Sequence, residues 1–233
     1  MTLKIDIHKN ILIHILKDIY TDTEISPLLG FKGGTAAYLF YNLSRFSVDL
    51  DFDLLAPGKE DLVFEGIKNI LEKYGTLKEA RKKRYSLFYL LDYKNKMQNA
   101  YNIKVEINKR DFGSKYEIKS YLGIPMKVMV PEDMVTHKLV TMLERIGKTN
   151  RDIFDVWFFL KNNWPINEEI IQKRTGFTTR QFFKECIDQL DKMSNRGILS
   201  GIGELLDEKQ KRWAKEKLRS ETIFLLRLML DSL

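Results

Sequence analysis

Apolar residues at helical spacing open the chain. Ile7, Ile11, Ile15 and Ile19 recur at four-residue intervals, which places their side chains on one face of a helix. We expect this amphipathic helix to continue to about Tyr20 and to serve mainly in packing.

A strand, a glycine turn and a second helix are predicted next. Leu28-Leu29-Gly30-Phe31 is an apolar run of strand length, and Lys32-Gly33-Gly34-Thr35 follows it with the composition of a turn. The run Ala36-Ala37-Tyr38-Leu39-Phe40 then favours a helix.

Strict alternation between Ser47 and Leu54 predicts a strand with one acidic face. Its apolar positions are Val48, Leu50, Phe52 and Leu54. The opposite positions are Ser47, Asp49, Asp51 and Asp53.

The remaining pattern predicts further strands and then only helices. A helix is expected over residues 59–74, ended by Gly75 in the manner of a C-terminal cap. Strands are expected at Tyr85–Tyr93, Tyr101–Asn108 and Ile124–Val130, with a turn at Lys94-Asn95-Lys96. Beyond Pro131, where the apolar period changes from two residues to three and four, helices are predicted at 131–146, 150–162, 167–174, 178–192 and 203–231.

The change of period near residue 130 predicts a domain boundary. We expect an α+β protein with a mixed sheet domain at 1–130 and a helical domain at 131–233. Because no Ser/Gly-rich linker separates them, the helical domain is expected to pack against the sheet domain. We also expect it to contribute to the active-site cleft.

Composition excludes disordered and fibrous classes. Of the 233 residues, 44% are hydrophobic and 30% are charged, and the formal net charge is +7. The single cysteine, Cys186, cannot form an intramolecular disulfide, and no His/Cys cluster has the spacing of a zinc site. With neither a signal-peptide pattern nor a long apolar run, a cytoplasmic protein without a membrane span is expected.

The acidic strand carries the strongest chemical signal. Three carboxylates two residues apart lie about 6–7 Å from one another and repel, so a cation is expected among them. Mg²⁺ prefers carboxylate oxygens and often shares them with substrate phosphates. The alternative is a solvated strand face without function. Gly33-Gly34-Thr35 favours the phosphate interpretation, because backbone N–H groups and a helix N-terminus there suit a triphosphate.

Two further sets of residues are candidates for the same chemistry. Glu106 is the one acid of its predicted strand and could complete a carboxylate triad, although a surface glutamate is the alternative. Lys138 could neutralise a triphosphate, with Asp152 or Asp155 holding that lysine or accepting a proton. An intrahelical ion pair between Arg151 and Asp155 is the alternative for the second set.

A basic run, Lys78–Arg84, places five basic residues in seven positions and is followed by Tyr85 and Phe88. Cations beside aromatic rings suit RNA binding. The alternative is a solvated basic turn before a strand.

Together these residues resemble a known family. The segment KGGTAAYLFYNLSRFSVDLDFDL, the later VEI, and the series Lys138, Arg145, Arg151, Asp152 and Asp155 are similar to the AbiEii/AbiGii toxin family of polymerase-beta-like nucleotidyltransferases. The resemblance covers about residues 28–160. Its first segment, with Gly-Gly-Thr, Arg45, Ser47, Asp49 and Asp51 in order, is the more specific part.

The resemblance implies a mixed sheet flanked by helices and a Mg²⁺-dependent transfer of a nucleotide from a nucleoside triphosphate. It also implies a companion antitoxin and, as in the related MenT toxins, an RNA acceptor such as the 3′ end of tRNA. Nucleotide-binding roles would fall to Lys32, Gly33, Gly34, Thr35, Arg45 and Ser47. Catalytic roles would fall to Asp49, Asp51, Lys138 and an aspartate of the pair Asp152 and Asp155. The metal would be held by Asp49 and Asp51, with Glu106 as the third carboxylate of the wider superfamily.

Other functions fit parts of the same pattern. A nucleotidyl or phosphoryl group could be transferred to a protein or to a small molecule such as an aminoglycoside. A catalytically silent RNA- or protein-binding domain is the alternative from another class, and intact Gly33-Gly34, Asp49 and Asp51 argue against it.

Overall fold

The computed structural model describes residues 5–93 and 102–233. The predicted turn at Lys94-Asn95-Lys96, and Tyr101 of the predicted strand, lie outside the described residues. The chain forms two compact units. The sheet unit comprises the described residues of Met1–Asn42, Phe46–Asp111 and Lys115–Met129. The helical unit comprises Leu43–Arg45, Phe112–Ser114 and Val130–Leu233.

The sheet unit contains a mixed seven-stranded sheet with three helices. The strands are β1 (Leu29–Lys32), β2 (Leu50–Leu54), β3 (Thr76–Lys82), β4 (Ser86–Asp92), β5 (Asn102–Asn108), β6 (Tyr116–Tyr121) and β7 (Ile124–Met129). Their order is β3-β4-β5-β2-β1-β7-β6, with β2/β5 and β1/β7 parallel and the other pairs antiparallel. The helices are α1 (Ile5–Thr21), α2 (Gly33–Phe40) and α3 (Glu60–Glu72), and a 3₁₀ turn spans Ser26–Leu28.

One face of the sheet is apolar and forms the core. Leu87, Ile107, Phe52 and Phe31 are neighbours across four strands, and each has 0% exposed surface. Helix α3 covers this face, because the ring of Phe64 stacks on that of Tyr89 with centroids 5.2 Å apart. The alternate residues of the same strands point to the opposite face, which carries the polar side chains. Alternation in the sequence therefore separates the core from the candidate chemistry.

The helical unit begins with two longer helices, α4 (Pro131–Arg145) and α5 (Arg151–Lys161). They are followed by α6 (Glu168–Thr175), α7 (Thr179–Lys192), a 3₁₀ turn at Gly203–Leu205, α8 (Glu208–Trp213), a π-helical segment at Ala214–Leu218 and α9 (Arg219–Asp231). The helices predicted between residues 131 and 192 agree with these bounds within about two residues. In the sheet unit, α2 begins at Gly33 rather than at Ala36, so the turn predicted at Gly33-Gly34-Thr35 is the first turn of that helix. The mixed sheet and the helical C-terminal part agree with the fold class predicted from the sequence.

The single helix predicted over 203–231 is wrong. Asp207 interrupts it, because its side chain accepts a hydrogen bond from the backbone N–H of Gln210 at 2.7 Å and so begins α8. Gln210 reciprocates with its own side chain, which completes a capping box.

Two edge strands, β3 and β6, were not predicted. Both lie at the ends of the strand order and are largely exposed, so neither shows an apolar alternation. The run Lys78–Arg84 therefore starts within β3, and its interpretation as a turn before a strand is wrong for the residues up to Lys82.

The role of Gly75 differs from the helix capping that the sequence predicted. A Cβ there would overlap the carbonyl oxygen of Asp92, so the glycine permits close packing of the backbone.

Candidate active site

The glycine turn and the acidic strand meet at Gly33 and Asp51. Lys32 is the register partner of Asp51, and Gly33 follows with φ +80°. A Cβ at Gly33 would lie 2.5 Å from Oδ2 of Asp51, so only glycine fits beside this carboxylate. The first turn of α2 is attached to the same place, because the buried Thr35 hydroxyl donates a hydrogen bond to the backbone carbonyl of Asp49. Two motifs that are separate in the sequence thus share one location in the sheet unit.

Asp49 and Ser47 precede the strand in which they were predicted, since β2 begins only at Leu50. The backbone carbonyls of this segment form hydrogen bonds with side chains and not with the backbone of a neighbouring strand. The carbonyl of Val48 lies 2.9 Å from Nε2 of His8, and that of Asp49 accepts from Thr35. Ser47 is buried, and Asp49 is partly exposed.

Asp51 and Glu106 are neighbours on the parallel strands β2 and β5. The ammonium of Lys104 lies between them, 3.3 Å from Oδ1 of Asp51 and 3.2 Å from Oε2 of Glu106. Ser86 donates a further hydrogen bond to Oε1 of Glu106 at 2.9 Å. The negative charge of Asp51 is the main cause that raises the pKa of Lys104 above its ordinary value, and Asp49 and Glu106 add to it. Burial of the ammonium acts in the opposite direction but is outweighed.

Sequence reasoning missed Lys104. The signal was its position two residues before Glu106 on the same face of β5.

The carboxylates of Asp51 and Glu106 have the chemistry of a site for a hard divalent cation, but not its arrangement. Their oxygens already gather around one positive charge, the Lys104 ammonium, and carboxylate oxygens are the ligands that Mg²⁺ prefers. Among residues 5–93 and 102–233, no three His, Cys, Asp or Glu side chains are arranged as a metal-binding group. Because the Lys104 ammonium lies between Asp51 and Glu106, a metal bound by both carboxylates would require rearrangement of the Lys104 side chain.

Asp53 is a structural residue rather than a surface acid. Its exposed fraction is 6%. It accepts hydrogen bonds from Lys32 at 2.5 Å, Asn108 at 2.6 Å and Tyr116 at 2.5 Å. These contacts join β1, β2, β5 and β6. They also place the ammonium of Lys32, a predicted nucleotide ligand, against Asp53.

The helical unit contains a buried charge cluster around Asp155. Arg45 donates two hydrogen bonds to its carboxylate, each of 2.6 Å, and the Lys138 ammonium lies 2.9 Å from Oδ2. Burial favours the neutral acid, but Arg45 and Lys138 outweigh it and lower the pKa of Asp155 to about 2. Asp155 is thus occupied by cations distant in sequence. The intrahelical pair with Arg151 is not needed to explain it.

Asp152 and Lys138 complete this cluster. Oδ1 of Asp152 lies 2.9 Å from the Lys138 ammonium, and Oδ2 lies 3.6 Å from a guanidinium nitrogen of Arg145. Burial would lower the pKa of Lys138, but Asp152 and Asp155 raise it above its ordinary value. Lys138 is therefore a charged lysine, held by both candidate aspartates. A role of either aspartate in catalysis stays a prediction.

The basic residues of β3 and the following turn differ in their contacts, and Arg81 and Lys82 contact both an acid and a ring, those of Phe88 and Phe64, respectively. Lys78, Arg81 and Lys82 pair with Asp92, Glu79 and Asp61, respectively. The cations farther along contact rings. The Lys83 ammonium lies 3.5 Å from the ring centroid of Phe88, and the Arg84 guanidinium lies 4.9 Å from that of Tyr85.

No helix in the described part of the chain combines the length and apolarity needed to cross a membrane.

Comparison with known proteins gives a family match over most of the chain. The model of a family described as "Nucleotidyl transferase AbiEii toxin, Type IV TA system" matches residues 14–223. None of the curated proteins matches the sequence.

Solved structures share the fold. JHP933 from Helicobacter pylori is 21% identical with a TM-score of 0.61, over 100% of this chain and 94% of that one. MenT4, a nucleotidyltransferase toxin from Mycobacterium tuberculosis, is 17% identical with a TM-score of 0.58, over 96% and 92%. The family resemblance and the α+β fold class inferred from the sequence are confirmed.

Proposed function

Because this chain belongs to the AbiEii nucleotidyl transferase toxin family of type IV toxin–antitoxin systems, we propose that it transfers a nucleotide, with Mg²⁺, to an RNA acceptor such as the 3′ end of tRNA. Membership makes the chain a nucleotidyltransferase, which agrees with the enzyme class predicted from the sequence. It also implies a nucleoside triphosphate substrate and an antitoxin partner. The observation that carries the proposal is the contact of the Gly33 turn with Asp51, beside Glu106.

The proposed reaction is an in-line displacement at the alpha-phosphorus. A hydroxyl oxygen of the acceptor forms the new bond and its proton passes to solvent, while the bond to the beta-phosphate oxygen breaks and pyrophosphate leaves with its electron pair. The backbone of Gly33 and Gly34, with Thr35 and Ser47, would bind the triphosphate. Asp49, Asp51 and Glu106 would hold Mg²⁺, which when bound supplies charge neutralisation and lowers the pKa of the attacking hydroxyl.

Lys138 would bind a phosphate of the nucleotide, as predicted from the sequence. Lys138 is charged and is held by Asp152 and Asp155, which suits a point charge directed at a phosphate. The low pKa of Asp155 makes it a holder of Lys138 and Arg45 rather than a proton acceptor. We assign Arg45 a supporting role through the same ion pairs.

An RNA acceptor is favoured by the basic residues around the β3–β4 turn, where cations lie over the exposed ring of Tyr85 and the partly exposed ring of Phe88. Binding of a small-molecule acceptor does not require such a surface. Nucleoside triphosphates and RNA are both available in the cytoplasm, where we propose that the enzyme acts.

The experiment incubates the purified protein with total tRNA, Mg²⁺ and each alpha-labelled nucleoside triphosphate in turn. Label on tRNA is expected with the wild type and with the control Glu72→Gln, an exposed acid on α3. It should be absent with Asp49→Ala and with Asp51→Asn. Label with all four proteins would refute the site. Triphosphate binding without label would refute the RNA acceptor and leave the enzyme class intact.

A further inference from the structure

The sheet face that carries Asp51 continues to an edge rich in cations and rings. The pairing registers place Lys32, Asp51, Glu106, Phe88 and Arg81 side by side on β1, β2, β5, β4 and β3. Residues paired across strands project from the same face, so these five form one row. With strands about 4.8 Å apart, Phe88 lies roughly 10 Å from Asp51 along that row.

The β3–β4 turn carries an exposed aromatic ring three residues before Phe88. Tyr85 lies in the turn and is 49% exposed. Its backbone is fixed, because the N–H of Lys109 donates to its carbonyl at 2.9 Å. Two guanidiniums flank its ring, that of Arg84 at 4.9 Å and that of Arg110 at 5.4 Å from the centroid. We call Lys83, Arg84, Tyr85, Phe88 and Arg110 the cation–aromatic edge.

Two cations of this edge, Lys83 and Arg84, contact aromatic rings rather than described acids. Among the residues that the structure describes, neither side chain forms a salt bridge, and both contact rings instead. The neighbouring Lys82 differs, since its ammonium lies 2.7 Å from Asp61. Lys83 and Arg84 can therefore exchange a ring contact for a phosphate without leaving a buried acid unpaired.

Cations interleaved with exposed rings are the features by which proteins bind single-stranded nucleic acid, through phosphate contacts and base stacking. An acidic peptide would use the cations but not the exposed ring. We propose that the cation–aromatic edge binds the single-stranded 3′ segment of the RNA acceptor, with a base on Tyr85 and phosphates on Lys83, Arg84 and Arg110. The row of side chains then leads its terminal hydroxyl toward Glu106 and Asp51. This inference rests on the RNA acceptor of the proposed function.

The test measures binding of a short fluorescein-labelled single-stranded RNA by anisotropy at several NaCl concentrations, without Mg²⁺ or nucleotide. Tyr85→Ser should weaken RNA binding about tenfold, because the stacking of one base is lost. Tyr85→Phe keeps the ring and should bind the RNA as the wild type does. The double variant Lys83→Gln/Arg84→Gln should reduce the slope of log K against log salt by about 1.4, since each lost phosphate contact removes about 0.7.

The controls remove matched side chains elsewhere in the chain. Phe224→Ser removes another exposed ring, and Arg180→Gln/Lys184→Gln removes two exposed cations near the start of α7. Both should bind the RNA as the wild type does. Equal affinity and slope for the edge variants and these controls would overturn the proposal. Loss of affinity with Lys83→Gln/Arg84→Gln but none with Tyr85→Ser would also overturn it, in favour of a general anion surface.

Binding and labelling together separate this inference from the proposed function. If tRNA is labelled but the edge variants bind normally, the function stands and the edge is wrong. If RNA binds through the edge but is never labelled, the edge stands and the acceptor is wrong. If the wild type does not bind RNA, the edge is overturned.

Discussion

At the residue scale, Gly33 is the position where backbone freedom and side-chain space are both required. Gly33→Ala places a methyl group 2.5 Å from Oδ2 of Asp51 at φ +80°. We expect transfer activity to fall about 100-fold, because Asp51 is a proposed metal ligand and misplacing a catalytic group by about 1 Å has that effect. The measurement is the rate of nucleotide transfer, with unfolding in urea to quantify the accompanying loss of stability.

A second glycine provides the control for this variant. Gly58 has the same φ of +80°, but a methyl group added there would have nothing within 4 Å. Gly58→Ala should therefore share the backbone strain, about 1–2 kcal/mol, and keep its activity. Equal activity losses in both variants would show that strain, rather than the contact with Asp51, causes the effect.

Lys104 gives a second residue-scale prediction, which depends on Mg²⁺ binding at Asp51 and Glu106. Its ammonium lies 3.3 Å and 3.2 Å from the oxygens that the metal requires, so the two cations compete. Lys104→Gln should tighten binding of Mg²⁺ or Mn²⁺, measured calorimetrically without nucleotide, by about tenfold. Lys17→Gln removes an exposed charge on α1 and should leave the affinity unchanged. Unchanged affinity in Lys104→Gln would contradict a metal site at these carboxylates.

At the element scale, the sequence predicts what depends on local pattern and misses what depends on pairing. Helix bounds agree because capping residues such as Thr178 are local signals. Edge strand β3 was missed because an exposed strand has no buried alternation. The Gly33 and Asp51 motifs were recognised separately, but only the register of β1 with β2 brings them into contact. Lys104 was missed for the same reason, since its significance comes from a carboxylate on another strand.

The link between the segment Leu43–Arg45 and α5 gives a prediction at this scale. Arg45 and Asp155 have 2% and 0% exposed side chains, so Asp155→Asn would remove the carboxylate charge that a buried guanidinium contacts. We expect it to lower the free energy of unfolding by about 3–5 kcal/mol, measured by urea denaturation. Asp188→Asn is the control, because its pair with Lys192 is exposed and screened by solvent, so its loss should change the stability little. Similar losses in the two variants would contradict the buried cluster.

At the scale of the whole molecule, the formal net charge of +7 does not by itself indicate an RNA partner. Many basic residues, such as Lys192 and Lys211, lie beside acids on their own helix. The cation–aromatic edge differs because Lys83 and Arg84 contact rings. The distribution of charge, rather than its sum, therefore supports an RNA acceptor.

The stability of the whole protein should depend on the charge state of Asp155 in acid. Its pKa is about 2 in the folded chain, below the value of about 3.9 expected when unfolded. Between these values the unfolded state binds the extra proton, so the stabilisation is complete above about pH 4 and is lost as the pH falls towards about 2. The test compares urea unfolding of the wild type and Asp155→Asn over this range. Their difference in unfolding free energy should shrink as the pH falls, and a constant difference would show that Asp155 is not the titrating group.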